Sequence, residues 1–139
     1  GTPCHTTSSA RHSQMFAHTG IVLTLCPEIT RQRLIIEGLY GKREIGEQDI
    51  KELLATLTQR LGMTPIADLL LFSPDAVSAL HHGVGGFQAW AESGCSLYTW
   101  RESRLFTLDV YSCKAFDASP CVAVVQESFE PSELAWRLV

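Results

Sequence analysis

From Phe87 to Tyr111 apolar and polar residues alternate in three short runs, and a period of two dictates half-buried strands. The runs are Phe87–Glu92, then Cys95–Trp100 across the short Ser93-Gly94 link, then Leu105–Tyr111 after the polar turn Arg101–Arg104. The last puts Phe106, Leu108 and Val110 on one face and Thr107, Asp109 and Tyr111 on the other. Links this short join only antiparallel neighbours, so the segment predicts a meander with one buried face. Arg33–Tyr40 reads as a further strand ending at Gly41-Lys42, and Ile66–Phe72 as another before Ser73-Pro74. Leu134–Val139, beyond Pro131, supplies a closing strand.

Two helices cover that face. Ile50, Leu53, Leu54, Leu57 and Leu61 share one side of a helix predicted over Asp49–Leu61. Asp49 stands where an N-cap belongs, Glu52 completes a capping box, and Gly62 stops the helix. Pro120 opens a second helix that runs to about Phe129. The expected order is β-α-β-β-β-α-β, an α+β two-layer sandwich whose antiparallel sheet carries its helices on one face.

At 139 residues there is room for one domain, placed at 31–139 behind a mobile N-terminal extension over 1–30. Gly1–Ser13 mixes Thr, Ser, His and Pro without periodicity, and Gly20–Cys26 could add an edge strand before Pro27. His5, His12 and His18 lack the spacing of helical metal ligands. A net charge of −4 offers no basic field to hold nucleic acid or an anionic membrane. Neither a secretory signal nor an apolar run near the roughly 20 residues of a membrane span occurs, so a soluble, cytoplasmic protein is expected. The five cysteines (Cys4, Cys26, Cys95, Cys113, Cys121) are odd in number and lack a CxxC pair. They predict reduced, small buried residues rather than a disulfide scaffold or a metal site.

P-loop, GxGxxG, HExxH and GxSxG patterns are all absent. Gly83-Val84-Gly85-Gly86 follows a loop and opens a strand, which does not suit phosphate cradling. His81-His82 reads as a solvated loop pair whose side chains diverge.

One stretch is more specific. Glu92-Ser93, Thr99-Trp100, Glu102, Asp109-Val110 and Cys113 stand at fixed spacings without a gap. Together with Arg33–Gly38 they resemble the short prokaryotic S-adenosylmethionine decarboxylase proenzymes, and the likeness runs from about Arg33 to the C-terminus. The resemblance implies self-cleavage between Glu92 and Ser93 by an N→O acyl shift and β-elimination. Ser93 would become a pyruvoyl cofactor, with no metal. That carbonyl forms a Schiff base with the amine of the small-molecule substrate, S-adenosylmethionine, and accepts the electron pair released with carbon dioxide. Cys113 would return a proton to the decarboxylated carbon. Glu37 matches the family's first-strand Glu, a substrate-binding position. Phe72 is either a stacking surface for adenine or plain core. The family's role is polyamine (spermidine) biosynthesis, and its short members pair as homodimers.

The chain departs from the family's pattern at three places. Gly94 replaces a common His, and Tyr98 stands at the processing His, where a phenol of pKa ~10 is a poor base. The processing Ser corresponds either to Gly85, by gapless strand spacing, or to Ser78 of Phe72-Ser73-Pro74, in a loop longer by about seven residues. Ser78, His81 and His82 are the candidates for substitute processing groups. With Tyr98 and Gly85 in those places, cleavage is expected to be slow. Two alternatives stand beside the decarboxylase: a member acting on another amino-acid substrate, and an uncleaved paralogue that binds S-adenosylmethionine or regulates an active homologue.

Overall fold

A computed structural model describes residues 24–41 and 43–139. β1 (Gln32–Tyr40) and α1 (Glu47–Arg60) precede four consecutive strands: β2 (Leu70–Phe72), β3 (Gly85–Trp90), β4 (Ser93–Trp100) and β5 (Leu105–Ser112). α2 (Ala118–Phe129) and β6 (Pro131–Leu138) follow. The strands form one sheet in the order β2-β3-β4-β5-β1-β6, antiparallel at every pairing. The α+β two-layer expectation holds. Four strands separate the helices, one more than the expected order counted: the Ile66–Phe72 strand forms only over Leu70–Phe72 and pairs with β3 beside the three strands of the meander. The expected extension lies outside the described residues up to residue 23, as does most of the Gly20–Cys26 strand; residues 24–30 form turns.

Both helices pack on the face defined by Leu34, Ile36, Leu97, Leu108 and Val110. From α1 come Ile50, Leu53, Leu54 and Leu57, all buried as their spacing predicts, and from α2 come Cys121, Val124, Val125 and Phe129. α1 begins two residues before its predicted start. Gly46 is the N-cap, and Asp49, at the third helical position, accepts the Gly46 N–H at 2.8 Å. Asp49 therefore closes the first turn from inside instead of capping it. It also pairs with Arg43, whose guanidinium donates to the Ser128 carbonyl and so ties the start of α1 to the end of α2. α2 ends at Glu130, whose left-handed backbone (φ 48°) lets β6 start at Pro131, earlier than expected.

The β3–β4 turn falls at Ala91-Glu92, not at the expected Ser93-Gly94. Trp90 decides this. Its ring is 1% exposed, its Nε1 donates to Thr58 Oγ1 at 2.9 Å, and the next amide, Ala91 N–H, donates to the Thr64 carbonyl at 2.9 Å. A buried indole with its one donor satisfied fixes the end of β3. Only two residues then remain before β4, and Glu92 adopts φ 62°. That left-handed conformation is costly for a residue with a side chain.

The glycine run is a packing requirement. A Cβ on Gly86 would lie 2.8 Å from Ile50 Cγ2, so α1 seats directly on its backbone. A Cβ on Gly85 would lie 2.6 Å from the Leu97 carbonyl oxygen and 2.5 Å from Phe72 Cζ. Cys95, Cys113 and Cys121 carry free thiols, and burial pushes Cys95 up to about 12 and Cys121 up to about 11. The expected reduced set does not extend to Cys26, which is disulfide-bonded.

Candidate functional site

The sheet register divides the candidate residues into two groups. At one end of β4, Ser93 pairs with Ser112, and its hydroxyl donates to Ser112 Oγ at 3.0 Å. Ser112 is fully buried and also accepts the Lys114 N–H at 3.0 Å. Cys113, one residue on, donates its thiol to Glu92 Oε2 at 3.1 Å. The thiol thus reaches the Glu92–Ser93 junction through the glutamate carboxylate rather than the serine hydroxyl. Its pKa is raised, first by that hydrogen bond, then by burial and by the negative charge of Glu92. A thiol so placed stays protonated at neutral pH, which suits giving up a proton and not nucleophilic attack.

The second group lies on a single row across the sheet. Phe72 pairs with Gly85, Gly85 with Tyr98, Tyr98 with Thr107, and Thr107 with Glu37. Thr107 Oγ1 donates to Glu37 Oε2 at 3.0 Å. The Tyr98 ring meets Phe72 edge-on at 5.1 Å and Phe87 at 5.8 Å. Phe72 is half-buried, and it occupies the space that a side chain at 85 would take. Tyr98 and Ser93 lie five residues apart along β4, roughly 16 Å. They also face opposite ways, since Cys95, Leu97 and Thr99 are buried while Ser96, Tyr98 and Trp100 are half-exposed. One protomer therefore does not bring Tyr98, Gly85, Phe72 or Glu37 to its own junction.

The loop between β2 and β3 is anchored to the Tyr98 end. His81 stacks on Trp100 at 4.3 Å, and its Nε2 bonds the Thr99 carbonyl at 2.8 Å. Ser78 spends its hydroxyl locally, accepting the N–H of His81 at 2.9 Å. The two histidines diverge, yet neither is merely solvated. His82 Nδ1 lies 2.6 Å from Glu102 Oε1, and its Nε2 lies 3.1 Å from the Ser78 carbonyl. Two acceptors facing both ring nitrogens select the imidazolium, because neutral imidazole can donate only once. Accordingly the Glu102 hydrogen bond, the largest cause, raises the His82 pKa above 6.5, and the His82 hydrogen bond lowers Glu102. A second clasp joins Asp75 to Arg101 at 3.1 Å, and Asp75 Oδ1 accepts the Gly83 N–H at 2.8 Å.

Because the folded His82 pKa is raised, its contribution is complete below the unfolded value and is lost as pH rises through the folded one. Glu102, lowered, contributes above its own unfolded value, so the clasp is whole only between the two. NMR titration of the His82 ring is expected to give a midpoint above 6.5, moving down in Glu102→Gln. A midpoint that Glu102→Gln does not move contradicts the clasp.

Trp90 and Ser112 were not singled out by sequence reasoning, although both shape the junction. Trp90 left a trace, a large aromatic two residues before Glu92; Ser112 left none, since its role arises only from strand register. On the helix-free face a groove of about 360 Å³ runs toward the junction end, lined by Arg33, Ile35, Ser96, Asp109 and Tyr111 among others. The Arg33 guanidinium stacks 4.9 Å over the Tyr111 ring. Burial, then the charge of Glu37, raises the Asp109 pKa. No helix among the described residues is long and apolar enough to cross a membrane.

The fold is a two-layer α+β sandwich in which a tight Ala91-Glu92 turn leads into Ser93 at the start of a central strand. The model of the S-adenosylmethionine decarboxylase family matches residues 33–139, and the chain belongs to that family. A curated relative, the S-adenosylmethionine decarboxylase proenzyme of Archaeoglobus fulgidus, is 31% identical over 85 residues, covering 58% of this chain and 70% of the relative. The crystal structure of the adenosylmethionine decarboxylase from Aquifex aeolicus shares the fold with a TM-score of 0.63 at 23% identity, covering 80% of this chain and 89% of that one.

Proposed function

We propose that the chain is an S-adenosylmethionine-directed carboxy-lyase of slow self-processing, serving polyamine (spermidine) synthesis, with Glu92–Ser93 as its reactive junction. The observation that carries this reading is the convergence at the junction. Glu92 is held in a left-handed conformation, the Ser93 hydroxyl is fixed by a buried partner, and a protonated thiol lies against the same turn. Strain at a scissile peptide lowers the cost of leaving its ground state. The junction also fits a pyruvoyl group made from Ser93. Cutting before Ser93 leaves β4 paired with β3 and β5 on both sides, so the new terminus stays in place.

A pyruvoyl carbonyl there supplies an electron sink for the substrate amine, which no side chain of the chain offers. Arg33 and Asp109 line the groove on the helix-free face beside Gly94, across the sheet from the side to which Ser93 points, and would offer opposite charges there to the carboxylate and the cationic groups of the substrate. Cys113 holds the proton for the decarboxylated carbon, kept on sulfur by Glu92.

The separation of Tyr98 from Ser93 supports a homodimer. In it the Phe72–Gly85–Tyr98–Glu37 row of one protomer reaches the junction of its partner. The uncovered face, with Ile35 and Phe87 each over a third exposed, is the surface for that pairing. Tyr98 packed into Phe72 and Phe87 favours a second reading, in which a chain that stays uncleaved binds S-adenosylmethionine or pairs with an active homologue. Release of carbon dioxide from S-adenosylmethionine distinguishes the two. It is expected in proportion to the cleaved fraction and absent in Ser93→Ala; a cleaved fraction that releases none overturns the decarboxylase reading. Light scattering is expected to give twice the chain mass.

A further inference from the structure

We infer that Ser112 is a positioning residue for the self-cleavage of this chain, an assignment that rests on the proposed reactivity of Glu92–Ser93. Three observations place it there. Ser112 is directly opposite Ser93 in the β4–β5 ladder, its oxygen is 3.0 Å from the Ser93 hydroxyl, and it is 0% exposed. Its oxygen is itself held by the Lys114 N–H at 3.0 Å. An exposed serine samples three rotamers, so its oxygen spends much of its time away from any one target. Ser93 instead donates into a fixed, buried acceptor, which selects one rotamer and turns its hydrogen toward Ser112. The lone pairs of Ser93 Oγ are left without that hydrogen in their path.

The step served is the acyl shift. Ser93 Oγ bonds to the Glu92 carbonyl carbon, the Glu92 C–N bond breaks, and the hydroxyl proton ends on the freed Ser93 nitrogen. Atoms balance without a co-reactant, and the product is an ester isomeric with the starting chain. Ser112 thus governs the first half of processing, whereas the base that Tyr98 fails to provide governs the elimination that follows. The two halves are separable by experiment because an ester, unlike a peptide bond, reacts readily with hydroxylamine. The chain contains no asparagine, so the Asn-Gly bond that hydroxylamine also attacks is absent.

The test treats the purified full chain with neutral hydroxylamine and follows appearance of fragments 1–92 and 93–139 by mass. Wild type is expected to release both, and Ser93→Ala neither. Ser112→Ala is expected to slow release by roughly tenfold or more, the loss of one positioning hydrogen bond. Ser112→Thr and Ser112→Val add the same bulk to a buried site, and only Thr keeps the oxygen. Thr is therefore expected to react far faster than Val, with thermal melts of the two variants recorded beside the rates. Equal rates for Thr and Val, or an Ala variant as fast as wild type, overturn the role of Ser112 while leaving the junction reactive. No hydroxylamine cleavage in wild type overturns the junction itself and this role with it.

Discussion

Replacing Tyr98 with His is expected to raise cleavage at Glu92–Ser93 by about 10²–10⁴-fold, the usual worth of a positioned acid or base. The phenol sits on a row with Phe72, Gly85 and Glu37, and its ring is engaged by Phe72 and Phe87. An imidazole is smaller and fits the same space, forfeiting edge-on ring contacts worth about 0.5–1.5 kcal/mol each. It titrates near neutrality, so it can take the α-proton of Ser93, for which a phenol is poorly suited. Since Tyr98 is roughly 16 Å from the junction of its own chain, the gain is expected to appear as cleavage of the partner copy. A mixture of Tyr98→His/Ser93→Ala protomers with wild type then cleaves the wild-type chains, and failure of such trans cleavage removes the shared site.

Restoring a serine at position 85 is expected to fail, in contrast to what the sequence alone suggests. The sequence places Gly85 where a processing Ser belongs, which makes Gly85→Ser look like a repair. In the fold the added Cβ lies 2.6 Å from the backbone oxygen of Leu97 and 2.5 Å from Phe72 Cζ. The ring can turn aside, but the carbonyl belongs to the β3–β4 ladder and moves only with the strand. Overpacking of this kind costs about 1–3 kcal/mol. A lower denaturant midpoint with no gain in cleavage is the expected result. A variant as stable as wild type that cleaves faster would show that β3 yields more easily than the register implies.

The sheet and helices were legible because the signals were periodic. Ile50, Leu53, Leu54 and Leu57 are buried together, as are Phe106, Leu108 and Val110. What periodicity missed was set by particular contacts, one distant in sequence and one local. The β3–β4 turn moved to Ala91-Glu92 because Trp90 finds Thr58, 32 residues away. The start of α1 moved because Asp49 reaches back to the Gly46 amide. In the site, Ser93, Glu92 and Cys113 came together as their motif spacings imply. Tyr98, Gly85, Phe72 and Glu37 did not join them. Five residues along one strand put Tyr98 roughly 16 Å from Ser93 and on the opposite face, a separation that matching motifs by type and order does not weigh.

On the proposed reading, Glu92–Ser93 is a reactive junction served by a poor base. The mass of the purified wild-type chain after prolonged incubation at neutral pH tests that most directly. The expected spectrum is dominated by the full-length chain, with a minor pair of fragments, 1–92 and a pyruvoyl-blocked 93–139, that Ser93→Ala abolishes. Recovery of the wild type wholly as those two fragments would contradict it.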